Sequence, residues 1–205
     1  MNIWFATNNV HKKEELSEIL NLPLKIPSEE GIIFNCDETG ATFYENSMLK
    51  ARELKLILLG KGIKDAVIAD DSGICVDCLG GRPGIYSARY GSKNGQELKS
   101  IERNILLLEE IGENRKRSAR FVCAMTLLVS GEIFFIAQES VEGEIVKMNE
   151  IKGEGGFGYD PVFLIPELGC TMAQLSAEEK NTISHRGKAG KHIAAVCQSL
   201  NFPRN

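Results

Sequence analysis

Several features that would each have pointed to a function are scarce or missing in this chain of 205 residues. It has three histidines and one tryptophan, and no apolar run approaches the ~20 residues needed to cross a bilayer. The opening residues, Met1-Asn2-Ile3-Trp4-Phe5, show no basic segment followed by a long apolar stretch, so no signal peptide is read there. Excess positive charge is missing too. The 24 Lys+Arg against 28 Asp+Glu leave a net charge of −4, which argues against a nucleic-acid polymer as partner, since a phosphate backbone demands clustered cations. A small phosphorylated ligand needs only a few local cations. The six cysteines (Cys36, Cys75, Cys78, Cys123, Cys170 and Cys197) include one C-x-x-C, but no second one and no paired histidines complete a zinc site. Free thiols in a reducing compartment are expected, and the chain reads as cytoplasmic, without a membrane segment. No G-x-x-x-x-G-K-[ST] occurs, which excludes a P-loop enzyme.

What is present reads as one domain, residues 1–205, with strands and helices in alternation: an α/β fold whose long central hairpin implies a mixed sheet. The stretch from Ala69 to Tyr90 organises it. Ala66-Val67-Ile68-Ala69 predicts a buried strand ending in Asp70, Asp71, Ser72 and Gly73. Paired carboxylates at a strand tip can hold a metal or position a base; the plainer alternative is a strand end with solvated acids. Upstream, Ile3 to Ala6 predicts a strand, and Leu16, Ile19 and Leu20 predict one helical face, capped from Thr7, Asn8 and Asn9. Strand, polar loop and helix N-terminus form a phosphate-binding geometry, and Lys12 in the first turn runs against the preference for acids there. Thr42 and Glu45 predict a capping box for a helix through Leu59, with Ser47, Ala51, Leu54 and Leu58 inward and Lys50 at the stripe's edge. Asp37 and Glu38, just before that cap, are solvated turn acids or a second source of metal oxygen.

Further along, Asn94 and Glu97 predict another capping box and a helix with Leu98, Ile101, Ile105 and Leu108 on one face. Residues 118–129 and 132–141 predict a hairpin around Ser130-Gly131. The glycine-dense run Gly153 to Pro161 offers a backbone that can approach a ligand closely, with Phe157 and Tyr159 available to stack on it. Ser176 caps a short helix carrying Lys180, and His185 and Arg186 open a last helix. Cations, carboxylates and aromatics at element ends fit a magnesium-bound nucleotide.

Four co-linear motifs carry a resemblance. T-N-N-V-H-K at 7–12, D-D-S-G with L-G-G-x-P-G-x-Y-S-A-R-Y at 70–90, G-G-F-G-Y-D-P-V-F at 155–163 and S-H-R-G-K-A at 184–189 resemble the inosine triphosphate pyrophosphatase family. The resemblance spans nearly the whole chain. It implies an elongated, two-lobed molecule with a long central mixed sheet flanked by helices, a ligand cleft between the lobes, and a homodimer. It implies hydrolysis of non-standard purine nucleoside triphosphates (ITP, dITP, XTP) to the monophosphate and pyrophosphate, with Mg²⁺. Asp71 then corresponds to the general base and a metal ligand, with Asp70 standing behind it or purely structural. Thr7, Asn8, Asn9, Val10, His11 and Lys12 correspond to the phosphate loop. Ser72, Phe157, Gly158, Tyr159, Asp160, Lys180, His185 and Arg186 correspond to substrate contacts, Arg186 suiting a 6-oxo acceptor because it is donor-only. Asp37 falls at the family's second acidic metal ligand, one methylene short of the usual glutamate, and Glu38 could substitute. Two rivals stay open: a housecleaning pyrophosphatase for modified pyrimidine nucleotides, and a nucleotide-binding sensor without catalysis.

Overall fold

The computed structural model describes residues 2–92, 96–153 and 155–202. Seven strands form one mixed sheet in the order β2-β1-β3-β4-β5-β6-β7, from β1 (Ile3–Phe5), β2 (Leu24–Lys25), β3 (Ala66–Val76), β4 (Ser118–Leu128), β5 (Phe134–Ile145), β6 (Phe163–Ile165) and β7 (Cys170–Thr171). β1 pairs in parallel with β2 and β3, whereas β6 pairs antiparallel with β5 and β7. The α/β expectation with a mixed sheet is met.

The described residues fall into two compact units. The first comprises Met1–Asp71, Cys123–Glu139 and His185–Asn205, the second Ser72–Val122 and Ser140–Ser184. In the first, α1 (Val10–Leu20), α2 (Phe43–Gly60) and α5 (His185–Ser199) cover two apolar clusters. One gathers Phe5, Leu16, Ile68, Met125 and Ile193; the other packs Trp4, Ala51, Leu54, Leu58 and Val67. Gly190 lets α5 approach α1 closely, since a Cβ there would stand 2.5 Å from the Ile19 side chain. The Thr42–Glu45 capping box opens α2 as expected, and Ser47, Ala51, Leu54 and Leu58 are buried.

The second unit has its own core, in which Ile74, Leu107, Phe121, Tyr159, Val162 and Phe163 meet under α3 (Ser100–Ile111) and α4 (Ala177–Ile183). Here one expectation is corrected. The helix starts at Ser100, where the Glu102 carboxylate accepts from Lys99 N, and it buries Asn104, Leu107, Leu108 and Ile111 while Ile101 and Ile105 are exposed. Of the expected stripe Leu108 is buried as read, but Leu98 is half-buried and Ile101 and Ile105 are exposed, because the buried face is turned toward Asn104, Leu107 and Ile111. Asn94, half of the expected box, lies outside the described residues, as does Glu154 of the glycine-dense run. All six cysteines are free thiols, with Cys123 and Cys197 buried; burial pushes the Cys123 thiol up to about 12.

Candidate active site

β3 does not stop at its acids, as the sequence suggested, but runs on to Val76, so Asp70 and Asp71 sit in mid-strand and both are buried. Their different surroundings follow from the pleat, which turns consecutive side chains to opposite faces. On one face Asp70, 1% exposed, accepts from Lys12 Nζ at 3.1 and 3.3 Å and from Arg186 Nη2 and Nε at 3.0 and 3.3 Å. Arg186 in turn gives Nη1 to Glu15 at 3.0 Å. Asp71 accepts from Asn46 Nδ2 at 3.1 Å and faces Lys50 Nζ at 3.5 Å. Lys50 also bonds Glu38 at 2.7 Å. Asn46 is fixed from its other end, where Oδ1 accepts from Gly40 N at 2.8 Å. A Cβ on Gly40 would stand 2.7 Å from that oxygen, which is why a glycine sits there.

The two acids are electrostatically unequal. Burial alone would raise both, but at Asp70 the charges of Lys12, Arg186 and Lys50 overcome it and hold the carboxyl well below the usual carboxylate range. At Asp71 burial prevails over Lys50, and repulsion from Glu38 and Asp70 adds to it, so that carboxyl is pushed up. Burial would lower the Lys50 ammonium, yet Asp70, Asp71 and Glu38 raise it and keep it charged. The result is an Asp70 whose ionised form is strongly favoured beside an Asp71 with a raised affinity for a proton.

An open cavity of about 390 Å³ adjoins this network, lined among others by Thr7, Asn8, Asn9, Lys12, Glu38, Lys50 and Asp70. Its loop is tied down locally. Asn9 caps α1 by accepting from Lys12 N at 3.2 Å, Thr7 Oγ1 accepts from Asn9 N at 3.1 Å, and Asn8 Nδ2 donates to Phe34 O at 2.9 Å. The lysine that opposes the helix-dipole preference is thus anchored by Asp70. Val10 and His11 do not line the cavity. Their side chains are exposed, and His11 lies 3.7 Å from Glu14. Of the two acids named as candidates for the metal, Glu38 and not Asp37 turns toward the network. Side chains alternate along the extended segment before α2, so Asp37 is exposed while its neighbour turns to Lys50.

In the second unit the run from Gly156 to Asp160 forms a separate cluster with α4. Asp160 Oδ2 accepts from Phe157 N and from Lys180 Nζ, each at 2.8 Å. Lys180 Nζ also lies 4.7 Å from the centroid of the Phe157 ring, which is 39% exposed and open to a stacking partner. Gly156, at φ +71°, is required by the tight turn, because a Cβ would sit 2.1 Å from Asp160 Oδ2. The Gly158 carbonyl accepts from Asn104 Nδ2 at 3.1 Å. Tyr159 departs from its expected role. Its ring is 4% exposed and packs in the core while its hydroxyl donates to Ser87 O at 2.8 Å, so it anchors the loop and presents no face for stacking.

Ser72 follows Asp71 in β3 and is half-buried, and His185 and Arg186 are buried at the start of α5. Arg186 was expected to give its donors to a 6-oxo group; the structure commits the guanidinium to Asp70 and Glu15. Sequence reasoning missed Asn46, Glu15 and Asn104. For Asn46 a signal existed, because it lies one helical turn before Lys50 on the same edge of the α2 stripe.

The Ham1 family model matches residues 3–196. A dITP/XTP pyrophosphatase of Treponema denticola is 46% identical over 190 residues, covering 92% of this chain and 94% of that protein. One of Bacillus subtilis (strain 168) is 41% identical over 197 residues, covering 95% and 96%. Among solved structures, the Staphylococcus aureus Ham1 protein superposes with a TM-score of 0.82 at 37% identity, covering 98% of this chain and all of that one. A HAM1 protein from Coxiella burnetii gives 0.83 at 34%, covering 97% and 99%.

Proposed function

Because the chain belongs to the Ham1 family, we propose that it hydrolyses non-standard purine nucleoside triphosphates (ITP, dITP and XTP) to the monophosphate and pyrophosphate, cleansing the nucleotide pool. The observation that carries this reading is the inequality of Asp70 and Asp71 beside a cavity lined by Lys12, Lys50 and the polar loop of Thr7, Asn8 and Asn9. In this reading Asp71 is the general base, since a carboxylate with raised proton affinity and a neighbouring lysine can orient and deprotonate water attacking phosphorus. Asp70 stays ionised and holds Lys12 and Arg186 in place. Thr7, Asn9 and the N-terminus of α1 present hydroxyl, amide and N–H donors to phosphate oxygens, and the lysines offset negative charge on the leaving pyrophosphate.

Glu38 and Asp71 converge on one cation, the Lys50 ammonium, and two carboxylates completed by substrate phosphates are a donor set that suits Mg²⁺. No cluster of three or more His, Cys, Asp and Glu side chains fit for a metal occurs among the described residues. When bound, Mg²⁺ would supply charge neutralisation on the phosphates.

For the base, we assign the second unit's cluster: Phe157 as the stacking face and Lys180 as a donor-only group that rewards a 6-oxo acceptor and rejects a 6-amino group. The family likeness further supports a homodimer and a cytoplasmic setting. Among the described residues, no helix is long and apolar enough to cross a membrane.

Pyrophosphate release from ITP, dTTP and ATP with Mg²⁺ tests the proposal. ITP is expected to be clearly the best of the three. Preference for dTTP would favour the pyrimidine reading, and no release from any would favour a sensor.

A further inference from the structure

Asn104 is a polar side chain in an apolar place. It is 1% exposed, on the buried face of α3 among Leu107, Leu108 and Ile111. Its Nδ2 donates to Gly158 O at 3.1 Å, and its Oδ1 is buried without a hydrogen-bond partner among the described residues. A buried amide with one half unsatisfied is a burden on stability, because the lone acceptor loses its water and gains nothing in return. A leucine of similar volume would serve the core better, so the amide is best explained by what its donor does.

That donor fixes one carbonyl in the tightest part of the loop. Gly158 has φ +67° and Gly156 φ +71°, and between them lies Phe157, whose ring is exposed. The other ties on this loop act on the residues to either side: Asp160 holds Phe157 N, and the Tyr159 hydroxyl holds Ser87 O. The turn that Asp160 N closes on Phe157 O at 3.4 Å brackets the peptide between Gly158 and Tyr159, but neither side-chain tie holds its carbonyl. The Asn104 bond does.

We infer that Asn104 is a positioning residue for base recognition: by pinning the Gly158 carbonyl it sets the orientation of the Phe157 ring against Lys180. This rests on the assignment of Phe157 and Lys180 to the base. In that reading Asn104 acts on the base cluster and not on the phosphate loop, so its effect falls on substrate binding and not on the chemical step.

The test compares wild type, N104L, F157A and the double variant on ITP. N104L removes the donor and the orphaned acceptor together, so its melting temperature is expected within a few degrees of wild type. Its kcat/KM for ITP is expected to fall about tenfold, through KM, with kcat within about threefold. The two substitutions are expected to be non-additive, the double variant losing little beyond F157A, because Asn104 acts through that ring. A merely structural residue would lower stability and leave this coupling at zero. Should N104L melt below the assay temperature, N104S, whose hydroxyl is too short to reach Gly158, is read in the same cycle. Unchanged KM, a loss confined to kcat, or additive effects would overturn the inference. A wild-type protein that releases no pyrophosphate from any purine triphosphate would overturn the parent reading, and this one with it.

Discussion

The two polar clusters use charge in opposite ways. In the first unit three cations meet four carboxylates, Lys12, Lys50 and Arg186 with Glu15, Glu38, Asp70 and Asp71, linked into chains of ion pairs. In the second a single ion pair, Lys180 with Asp160, braces a loop made of glycine turns, backbone amides and an aromatic ring. A many-body network can hold two neighbouring acids at different proton affinities, which is what chemistry on a phosphate requires. A braced loop can hold a shape, which is what recognition of a flat neutral ring requires. The molecule thus separates where charge is managed from where shape is managed.

Removing the proposed base from the first cluster should have the largest effect. Asp71→Asn keeps the size and the neighbours, so nucleotide binding measured by calorimetry should survive while turnover falls roughly 10²- to 10⁴-fold. Equal activity would remove Asp71 from the chemistry. Next comes Arg186→Met, which leaves the buried Asp70 and the half-buried Glu15 without their shared cation. Stability in urea should drop by roughly 3–5 kcal/mol, and a loss under about 1 kcal/mol would show that Lys12 suffices.

In the second cluster, Asp160→Asn keeps the shape but replaces charge-assisted bonds to Phe157 N and Lys180. A fall in kcat/KM of roughly 10- to 100-fold, with a narrower preference for ITP over ATP, is expected. An unchanged preference would detach this loop from selectivity. The smallest effect belongs to an acid outside both clusters. Asp65 accepts from Asn2 and from Trp4 Nε1, and these bonds outweigh burial and depress its pKa. A carboxyl whose folded pKa lies below its unfolded one stabilises the fold above the unfolded value, near 4, and loses that contribution as pH falls through the folded value. Asp65→Asn should therefore lower the melting temperature slightly at neutral pH and flatten its decline below a pH of about 4. A decline as steep as in wild type would assign the acid limb to the clustered carboxylates alone.

Local patterns announced themselves in the letters. Thr42 with Glu45, the caps at Asn9 and Ser176, and the β-run of Ser118 to Leu128 are short-range signals, and the structure has them all. The residues that failed depend on partners far along the chain. Asp70 ends a hydrophobic run in sequence yet stays buried, because Arg186, 116 residues away, neutralises it. Tyr159 looks like a stacking ring until Ser87, 72 residues earlier, claims its hydroxyl. The choice between Asp37 and Glu38 turns on a pleat, and no composition rule reveals which of two adjacent acids faces in. The motifs marked the candidate residues; long-range pairing decided which partners each of them has.

The mid-strand position of the two acids has one more consequence. β3 is locked to β1 with Ile3 opposite Ala66 and Phe5 opposite Ile68, and Ala6 N donates to Ile68 O at 2.8 Å just before the acids begin. From there the pleat alone assigns the faces. Adding or deleting one residue between Ile68 and Asp70 would exchange the carboxylates, setting the one meant for Lys12 and Arg186 against Asn46 and Lys50. This stretch can change its letters but not its length, and a library that varies loop lengths for new substrates should leave residues 66–71 uninterrupted.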